Sequence, residues 1–592
     1  MANLLFLLFI MISLTNAPLS SSLEHHSHFI KHSLHHNTCS KKYSEITRPL
    51  PFANLTPSCT LPILKHRFRN TIGLPPVSVP YAPPANCSWT HVALQFNASC
   101  KGLQYDRIAA VWLDGTELFR TSTVEPTENG VFWTVTKDVT RYASVLVKEN
   151  ISLSVMLENS VNQVFTGVYH VNVTFLYYDV ENMNNVPLSS STNQKVRLVD
   201  DVFVDNPTKP ADLIIPISDN GGKGFWFRIQ SDSELHGKTV IIPKNTYKAV
   251  MEIYVSSHRY DEFWYSNPPD SYIQINNLTS QRGHGAHREV LLNIDMNLVG
   301  SVVPFPVILP GGINPQYWDP IVSIGAFDFP SYDIELTPFL GLLLDGKSHF
   351  LRLRVLDSLP YWLVDANLHL WVDKKCTGDC EVQAKVIDYE TPEFEMERSS
   401  DFEGLDGSYE IEMKRESKYS GWVNSSAGNL TTTVSREIKF KNKIKFHDTG
   451  NEKKVKQKVK EEIEVKVESE TGTEISKTKV KRKFPLTITT KTKSSREDGT
   501  NLMISELEHE WKEKKWNVGD SNSFSSSLKN EQKCEGWMVV QDHIVLQSGA
   551  TTEQSYSYKG ETSSYSREIA ATNGKLMNDD ANYLKFASLS DM

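Results

Sequence analysis

Short apolar segments separated by turn residues fill the chain from Ser88 to Asp179. They are rich in β-branched and aromatic residues and read H-V-A-L-Q-F, I-A-A-V-W-L, V-F-W-T-V, I-S-L-S-V-M-L and Y-H-V-N-V-T-F-L-Y-Y. Several of them alternate apolar and polar positions with period two, as half-buried antiparallel strands do. No convincing amphipathic helix interrupts them, so the pattern predicts a β sandwich or jelly roll.

The same pattern resumes after a polar linker, Glu181 to Gln194, and continues to about Asp373. The clearest strands predicted here are F-W-F-R-I-Q, A-V-M-E-I-Y-V, V-L-L-N-I-D-M and F-L-R-L-R-V-L. The middle of this unit, Gly283 to Asp319, is rich in glycine and proline and predicts long irregular loops. Such loops on a rigid β scaffold are where binding residues tend to lie.

The composition changes sharply after about Cys376. Two segments are dense in charge and read K-K-V-K-Q-K-V-K-E-E-I-E-V-K-V-E and K-T-K-V-K-R-K-F-P-L-T-I-T-T-K-T-K. Glutamate interleaves with lysine in the first, and valine and threonine alternate through the second, so solvated faces of antiparallel strands explain both. Val455, Val459 and Ile463 also fit a helical period, which leaves a local helix as an alternative.

These patterns predict a mainly β protein with two jelly-roll β-sandwich domains followed by a further antiparallel β domain. A chain of 592 residues is too long for one hydrophobic core. The expected segments are a signal peptide over 1–20, a pro-segment and extended arm over 21–82, the two sandwiches over 83–180 and 195–375, and a charged β-rich domain over 385–592.

The N-terminus indicates entry into the secretory pathway. Leu4 to Leu14 is apolar but too short to span a bilayer, and Thr15-Asn16-Ala17 is typical of a cleavage site, although a basic n-region is missing. We expect no membrane association, because no later segment is long and apolar enough. A histidine cluster from His25 to His36 follows, and it suits a disordered or removed pro-segment better than a metal-binding tract.

Glycosylation and disulfide formation are expected in that compartment. N-x-S/T acceptor sites occur at Asn54, Asn86, Asn97, Asn150, Asn172, Asn277, Asn424 and Asn429. Seven cysteines fit an oxidising environment. Proximity along the chain favours the pairs Cys87–Cys100, Cys376–Cys380 and Cys39–Cys59, and leaves Cys534 over. A zinc site at Cys376 and Cys380 would need two more nearby ligands, and none is evident.

Several function classes are disfavoured by the sequence. The formal net charge of −9 gives no electrostatic argument for a nucleic-acid partner. Gly341 to Ser348 matches G-x-x-x-x-G-K-S, but Leu342 to Leu344 look like a strand leading into an Asp-Gly hairpin turn, whereas a phosphate loop opens a helix. G-x-S-x-G and H-E-x-x-H are absent, so the usual serine-hydrolase and zinc-protease signatures are missing and carboxylates remain as the candidate chemistry.

Three acidic residues stand at strand ends, where loops gather. Asp106 precedes the strand I-A-A-V-W-L, Glu158 follows I-S-L-S-V-M-L, and Glu262 follows M-E-I-Y-V in the aromatic setting Y-D-E-F-W-Y-S-N. Carboxylates flanked by aromatic and asparagine side chains can bind sugars and transfer protons. Asp106 and Arg107 alone also fit a strand-end ion pair, which contributes little at a surface.

The segment from about Pro83 to Asp373 resembles the plant-type peptide-N4-(N-acetyl-β-glucosaminyl)asparagine amidases, the peptide:N-glycanase A family. The motifs that carry the resemblance are N-C-S-W-T, Y-D-R-I-A-A-V-W-L-D-G-T-E-L-F-R-T-S-T, F-W-T-V-T-K-D-V-T-R-Y, D-E-F-W-Y-S-N-P-P, R-G-H-G-A-H-R-E-V and G-G-I-N-P-Q-Y-W-D-P. A more distant similarity to the bacterial secreted enzyme implies paired jelly rolls with the active site between them.

The resemblance implies an amide hydrolase that needs no metal or cofactor. It would cut the β-aspartylglucosamine bond of N-linked glycopeptides or glycoproteins. The secretory signal leaves the apoplast and the vacuole open as destinations. The implied catalytic residues are Asp106, Glu158 and Glu262, with Glu289 in H-R-E-V as the alternative to Glu262. The expected substrate contacts are Arg107, His258, Trp264, Trp318 and Glu289.

Two rival functions stay open at this point. A lectin could use the same sandwiches without catalysis, and a glycosidase would leave one sugar on the asparagine. The sequence also leaves open whether proteolytic processing divides the chain into two associated subunits.

Overall fold

The computed structural model describes residues 30–31, 40–180, 209–376, 381–495, 499–519 and 523–586. Strands dominate, nearly all of them paired antiparallel, which confirms the predicted mainly β class. The predicted signal peptide, the histidine cluster and the linker over 181–194 lie outside the described residues. Within the described residues, no helix has the length and apolar character needed to cross a membrane.

The first sandwich consists of a five-stranded and a four-stranded sheet packed face to face. The strands are β1 (Ile30–Lys31), which pairs outside this sandwich, and β2 (Lys41–Lys42), β3 (Cys59–Phe68), β4 (Val77–Tyr81), β5 (His91–Lys101), β6 (Ile108–Leu113), β7 (Thr116–Ser122), β8 (Val131–Asp138), β9 (Ile151–Leu157) and β10 (Val168–Tyr178). The sheet orders are β2-β8-β5-β10-β3 and β4-β9-β6-β7. Two short helices, Thr140–Tyr142 and Ala143–Leu146, follow β8.

The sandwich begins earlier in the chain than the sequence predicted. Residues assigned to an extended arm, 21–82, supply β3 and β4, which lie at the edges of the two sheets. Strand β3 pairs with β10 over its whole length, and Pro62 lies where the register shifts. An edge strand with a bulge tolerates proline, so the prolines of this region do not exclude strands.

Two of the predicted disulfides are wrong. Cys59 is bonded to Cys87, with 6.2 Å between their Cα atoms, and Cys100 is a buried free thiol. The part of strand β5 that separates Cys87 from Cys100, His91 to Cys100, spans about 30 Å, whereas the disulfide shows that the start of β3 lies beside Cys87. Proximity in sequence is therefore a poor guide here. Cys376 is disulfide-bonded and Cys380 lies outside the described residues, while Cys534 is buried and free.

We expect peptide mapping without reduction to recover Cys59 and Cys87 in one cross-linked pair. Cys100 should react with a thiol reagent only after unfolding, because burial raises the pKa of its thiol to about 12 and so suppresses the nucleophilic thiolate. Recovery of a Cys87–Cys100 peptide, or rapid labelling of Cys100 in the folded protein, would contradict the structure.

The second sandwich repeats the two-sheet arrangement with longer loops. Its strands are β11 (Leu213–Ile217), β12 (Phe227–Ile229), β13 (His236–Val240), β14 (Thr246–Ser257), β15 (Glu289–Ile294), β16 (Asn297–Val302), β17 (Ser331–Glu335), β18 (His349–Leu356) and β19 (Trp362–Val372). The sheets run β11-β19-β14-β17, with β12 also on β19, and β13-β18-β15-β16. The short helices are Arg259–Asp261, Trp264–Ser266, Asp270–Ile275, Pro315–Trp318, Thr337–Phe339 and Leu340–Leu343. The strand predicted over Leu342 to Leu344 is wrong, since this segment ends a helix.

A buried polar cluster joins the two sandwiches. Arg120 on β7 donates two hydrogen bonds to the Glu117 carboxylate, at 2.7 and 2.8 Å, and reaches Leu363 O on β19 at 2.7 Å. Trp112 on β6 donates to Asp365 on β19 at 2.7 Å. Because Arg120 is fully buried and bonds to both domains, it fixes their relative position.

The C-terminal region is one large twisted sheet of very long strands. Its strands are β20 (Gln383–Tyr389), β21 (Glu393–Glu403), β22 (Asp406–Ser425), β23 (Gly428–His447), β24 (Glu452–Ser469), β25 (Glu474–Ser494), β26 (Asn501–Gly519), β27 (Phe524–Gln541), β28 (Ile544–Lys559), β29 (Ser563–Thr572) and β30 (Lys575–Lys585). They pair in sequence order from β22 to β30, with β20 and β21 both on β22 and β1 on β28.

The charged segments are strands, as predicted, and not a helix. Strands β24 and β25 pair antiparallel through both lysine-rich segments. Lys479 and Lys481 reach across to Glu462 on the neighbouring strand, which is how a solvated sheet face balances its charge. The other face shares a continuous hydrophobic core with the second sandwich. The charge density therefore marks one side of a sheet.

Candidate active site

A cavity of about 960 Å³ opens between the two sandwiches. Asp106 and Glu158 line it from the first sandwich, and Glu262 lines it from the second. Arg107 and His258 also line it. The structure thus places all three proposed catalytic carboxylates, and two of the five expected substrate contacts, on the walls of one cavity.

Strand pairing brings Asp106 and Glu158 to the same edge of one sheet. Strands β6 and β9 are antiparallel neighbours, with Ala109 opposite Leu157. Asp106 lies just before β6 begins and Glu158 just after β9 ends, so the two acids lie at the same end of the strand pair. The Glu158 amide is held to Ile108 O at 3.4 Å.

Glu262 reaches the cavity from a tight turn that Asp261 anchors. Asp261 is fully buried and accepts hydrogen bonds from Arg288 at 2.6 and 2.7 Å, from the Trp362 indole at 2.7 Å and from the Leu359 amide at 2.7 Å. Four strong contacts on one carboxylate fix the turn. The adjacent Glu262 is directed into the cavity, where it is 5% exposed.

Cationic and aromatic side chains surround the three carboxylates. Arg228 donates to Glu158 at 2.7 Å and lies over the Tyr361 ring, 4.1 Å from its centroid. The His258 ring also stacks on the Tyr361 ring, with 5.2 Å between the two ring centroids. Arg107 donates to Gln104 at 2.5 Å. The site therefore offers positive charge and flat apolar surfaces beside its acids.

Glu262 lies near a further arginine, Arg282. Burial lowers the pKa of Arg282, and the charge of Glu262 opposes that effect. Burial raises the pKa of Tyr265 well above its usual value, and the same carboxylate adds to the rise. Glu262 thus sits among groups that its negative charge influences. Burial, and to a smaller extent the neighbouring charge of Arg282, together lower the pKa of Lys453 to about 7.

Glu125, which no sequence motif singled out, lies beside Asp106. A Cβ atom at Gly311 would be 2.5 Å from Asp106 Oδ1 and 2.7 Å from Glu125 Oε1, so both carboxyl groups rest against this glycine. A side chain at position 311 would collide with both acids. Glu125 lies three residues after the end of β7, in the run T-V-E-P-T-E, where no sequence pattern pointed to a role.

The C-terminal sheet also reaches the cavity, which the sequence did not predict. His543, in the hairpin between β27 and β28, lines the wall. The same sheet supports the loop that follows Glu262, because Lys453 donates to Ser266 O at 2.7 Å and Asn442 donates to Tyr265 O at 2.9 Å. The third domain is therefore part of the site's construction.

Three of the expected substrate contacts do not line the cavity. Trp264 is 1% exposed and packs against Trp362, with ring centroids 6.3 Å apart. Trp318 is 1% exposed and its indole donates to Gly312 O at 2.9 Å. Glu289 is fully buried and accepts both hydrogen bonds of Arg415 on β22, at 2.8 and 2.9 Å. Each of the three is a packing or anchoring residue, since its side chain is buried and makes its contacts with other groups of the protein.

The other predicted sites are distributed over the surface. Six of the acceptor asparagines are exposed, and Asn97 and Asn429 are half-buried. Among the described residues, no group of three or more His, Cys, Asp or Glu side chains is arranged to hold a metal ion.

This arrangement is suited to general acid–base hydrolysis of a substrate that spans two domains. Carboxylates can supply and accept protons, and the arginines can stabilise negative charge that develops on an oxygen. Fold and site together define a two-sandwich hydrolase with a carboxylate-lined cleft.

Comparison with known proteins gives the family. Residues 48–391 match the family model of peptide N-acetyl-beta-D-glucosaminyl asparaginase amidase A, and the chain belongs to this family. The chain is 40% identical over 549 residues to peptide-N4-(N-acetyl-beta-glucosaminyl)asparagine amidase A of Prunus dulcis, which covers 92% of this chain and 93% of that protein. The match to the family model begins at residue 48, within the segment 21–82 that supplies β3 and β4.

Two solved structures of PNGF-II, in the C2 and P21 space groups, are also similar. They share 11% sequence identity with this chain, give TM-scores of 0.33 and 0.32, and cover 53% of it and 65% and 66% of their own chains. These scores are too low to support an argument about fold or function.

Proposed function

We propose that the cavity hydrolyses the β-aspartylglucosamine amide bond of N-linked glycopeptides and glycoproteins. The intact glycan leaves as a glycosylamine, and the asparagine becomes aspartate. The observation that carries this proposal is the convergence of Asp106, Glu158 and Glu262 on one cavity from two domains. The name of the almond relative supports the substrate class.

The chemistry requires two proton movements. An amide is a weak electrophile and an amide anion does not leave, so the nitrogen must gain a proton as water attacks the carbonyl carbon. The water oxygen bonds to that carbon, the carbon–nitrogen bond breaks, and the nitrogen departs as an amine. Asp106 protonates the nitrogen, and Glu158 or Glu262 accepts the proton that the water loses.

The remaining wall residues position the substrate. Arg228 and Arg282 hold Glu158 and Glu262 and provide positive charge for the developing oxyanion. Tyr260 and Tyr361 present aromatic surface to the cavity, against which sugar rings can pack. Arg107 either orients Asp106 or binds the amide oxygen. Substrate binding between two domains exploits a rigid joint, which Arg120 supplies.

The experiment that tests this function is incubation with a defined N-glycopeptide, followed by measurement of the peptide mass. Aspartate at the former glycosylation site supports an amidase. A peptide that retains one sugar would indicate a glycosidase, and an unchanged glycopeptide that nonetheless binds would indicate a lectin. Either of these two results would overturn the proposal.

We also propose that the protein is secreted to the apoplast or the vacuole and carries N-glycans. The apolar N-terminus, the exposed acceptor asparagines and the Cys59–Cys87 disulfide support this location. A further proposal, based on the family resemblance, is proteolytic processing into a heterodimer. Intact mass of the protein purified from its source tissue, before and after enzymatic deglycosylation, would test both. A single unglycosylated full-length chain would contradict them.

A further inference from the structure

Asp106 and Glu125 are two buried acids that meet at one glycine. Asp106 is 6% exposed and Glu125 is 5% exposed. The position that a Cβ atom would take at Gly311 lies 2.5 Å from Asp106 Oδ1 and 2.7 Å from Glu125 Oε1. The two oxygens are therefore no more than about 5 Å apart, the sum of these two distances. Asp106 lines the cavity, whereas Glu125 is not among the residues that do. Glu125 therefore lies behind the acid that faces substrate.

The backbone holds this juxtaposition firmly. Beyond the last paired residues of β6 and β7, the Thr123 amide donates to Arg107 O at 2.8 Å, and the Arg107 amide donates to the Thr123 hydroxyl at 2.8 Å. The hydroxyl of Tyr169 on β10 then bridges Tyr105 O at 2.9 Å and Val124 O at 3.1 Å. These contacts fix the residues that flank the two acids on both strands. The pair is thus built into the fold.

We propose that Glu125 is a positioning residue that shares one proton with Asp106 and keeps Asp106 able to donate it; this inference rests on the proposed function. Two carboxyl groups at this separation in a buried site do not both ionise readily, because each charge disfavours the other. The pair therefore retains a proton to higher pH than a single acid would. Asp106 delivers this proton to the leaving nitrogen, and Glu125 acts only through Asp106.

The tyrosine and cysteine side chains that face the pair do not titrate in the acidic and neutral range. Burial raises the pKa values of Tyr43, Tyr105 and Tyr169, and the negative charges of Glu125 or Asp106 add to each rise. Burial likewise raises the pKa of the Cys100 thiol, near Tyr169, to about 12. Arg107 is a permanent cation, and the cavity adds Glu158, Glu262, Arg228, Arg282 and His258. If a substitution of Glu125 alone shifts one limb of the pH profile of deglycosylation, that limb is assigned to the Asp106–Glu125 pair, because Glu125 adjoins Asp106 and does not line the cavity.

The test is the pH profile of glycopeptide deglycosylation by Glu125→Gln. The amide keeps the size of the side chain but removes its charge, so the pKa of Asp106 falls and Asp106 loses its proton at lower pH. We expect the alkaline limb of kcat/KM to move to lower pH by at least about one unit, with measurable activity at the new optimum. A folded Glu125→Gln protein whose alkaline limb coincides with that of the wild type would overturn the inference.

Two further variants keep the test decisive. Glu45→Gln makes the same exchange at a carboxylate that accepts hydrogen bonds from Gly325 N and Phe327 N outside the cavity, and its alkaline limb should not move. If Glu125→Gln does not fold, Glu125→Asp should show a smaller shift in the same direction, and no shift would overturn the inference. Failure of the wild-type protein to deglycosylate at any pH would instead overturn the proposed function.

Discussion

Asp106→Asn is expected to fold and to bind glycopeptide while its turnover falls by on the order of 10²-fold or more. The amide keeps the size and hydrogen-bonding capacity of the carboxyl group but cannot release a proton to the leaving nitrogen. Asp106 is the acid that both lines the cavity and rests against Gly311 and Glu125, so this substitution removes the proton where the reaction needs it. The measurements are a thermal melt and a single-turnover deglycosylation rate on the same preparation.

Asp365→Asn is the matched control. Asp365 is a fully buried carboxyl group at the joint between the sandwiches, and it does not line the cavity. Burial raises the pKa of Asp365 well above its usual value, and the neighbouring Glu117 adds to the rise. Burial thus favours the neutral form of this carboxyl group, and asparagine imitates that form. If Asp106→Asn merely lowered the melting temperature and kept near-normal turnover per folded molecule, Asp106 would be a structural residue and the mechanism would fail.

Arg120→Met is expected to destabilise the protein by about 3–5 kcal/mol. The substitution leaves Glu117 as a buried carboxylate without the guanidinium that now gives it two hydrogen bonds. It also removes the donor to Ser256 Oγ at 3.1 Å and to Leu363 O at 2.7 Å, so the contacts that position the two domains are lost. Denaturant unfolding at neutral pH measures the loss.

The control for this prediction is the double variant Glu117→Gln with Arg120→Met. Replacing both partners of a buried pair with neutral groups removes the isolated charge, so a substantial part of the stability should return. Deglycosylation by the single variant should fall as well, because the cavity depends on the joint. Equal stability for Arg120→Met and the wild type would mean that the cluster does not hold the domains together.

Strand periodicity predicted much of the fold, for a physical reason. Segments such as Ile108–Leu113 and Ile151–Leu157 consist of residues that favour pleated, buried strands, and nothing in their neighbourhood competes with that preference. The same reasoning identified the lysine-rich strands β24 and β25. It missed β3 and β4 because their prolines suggested an extended arm, whereas edge strands accept proline.

Site residues could be predicted where their position follows from the ends of paired strands. They could not be predicted where the direction of a side chain depends on packing. Asp106 and Glu158 adjoin strand ends that antiparallel pairing brings together, so strand boundaries singled them out, and the family resemblance then implied their catalytic roles. Trp264 and Trp318 were expected to contact substrate because of their type, but type does not reveal which way a side chain points. Glu125 lies in a proline-containing loop, and its proximity to Asp106 depends on the β6–β7 register and on Gly311.

The most direct test of the account is a crystal structure of Asp106→Asn with a bound N-glycopeptide. The sugar-linked asparagine is expected to lie in the cavity between the sandwiches. Its amide nitrogen should be within hydrogen-bonding distance of residue 106, and Glu158 or Glu262 should face the carbonyl carbon across one water molecule. A glycopeptide bound elsewhere on the protein, with residue 106 far from the amide, would contradict it.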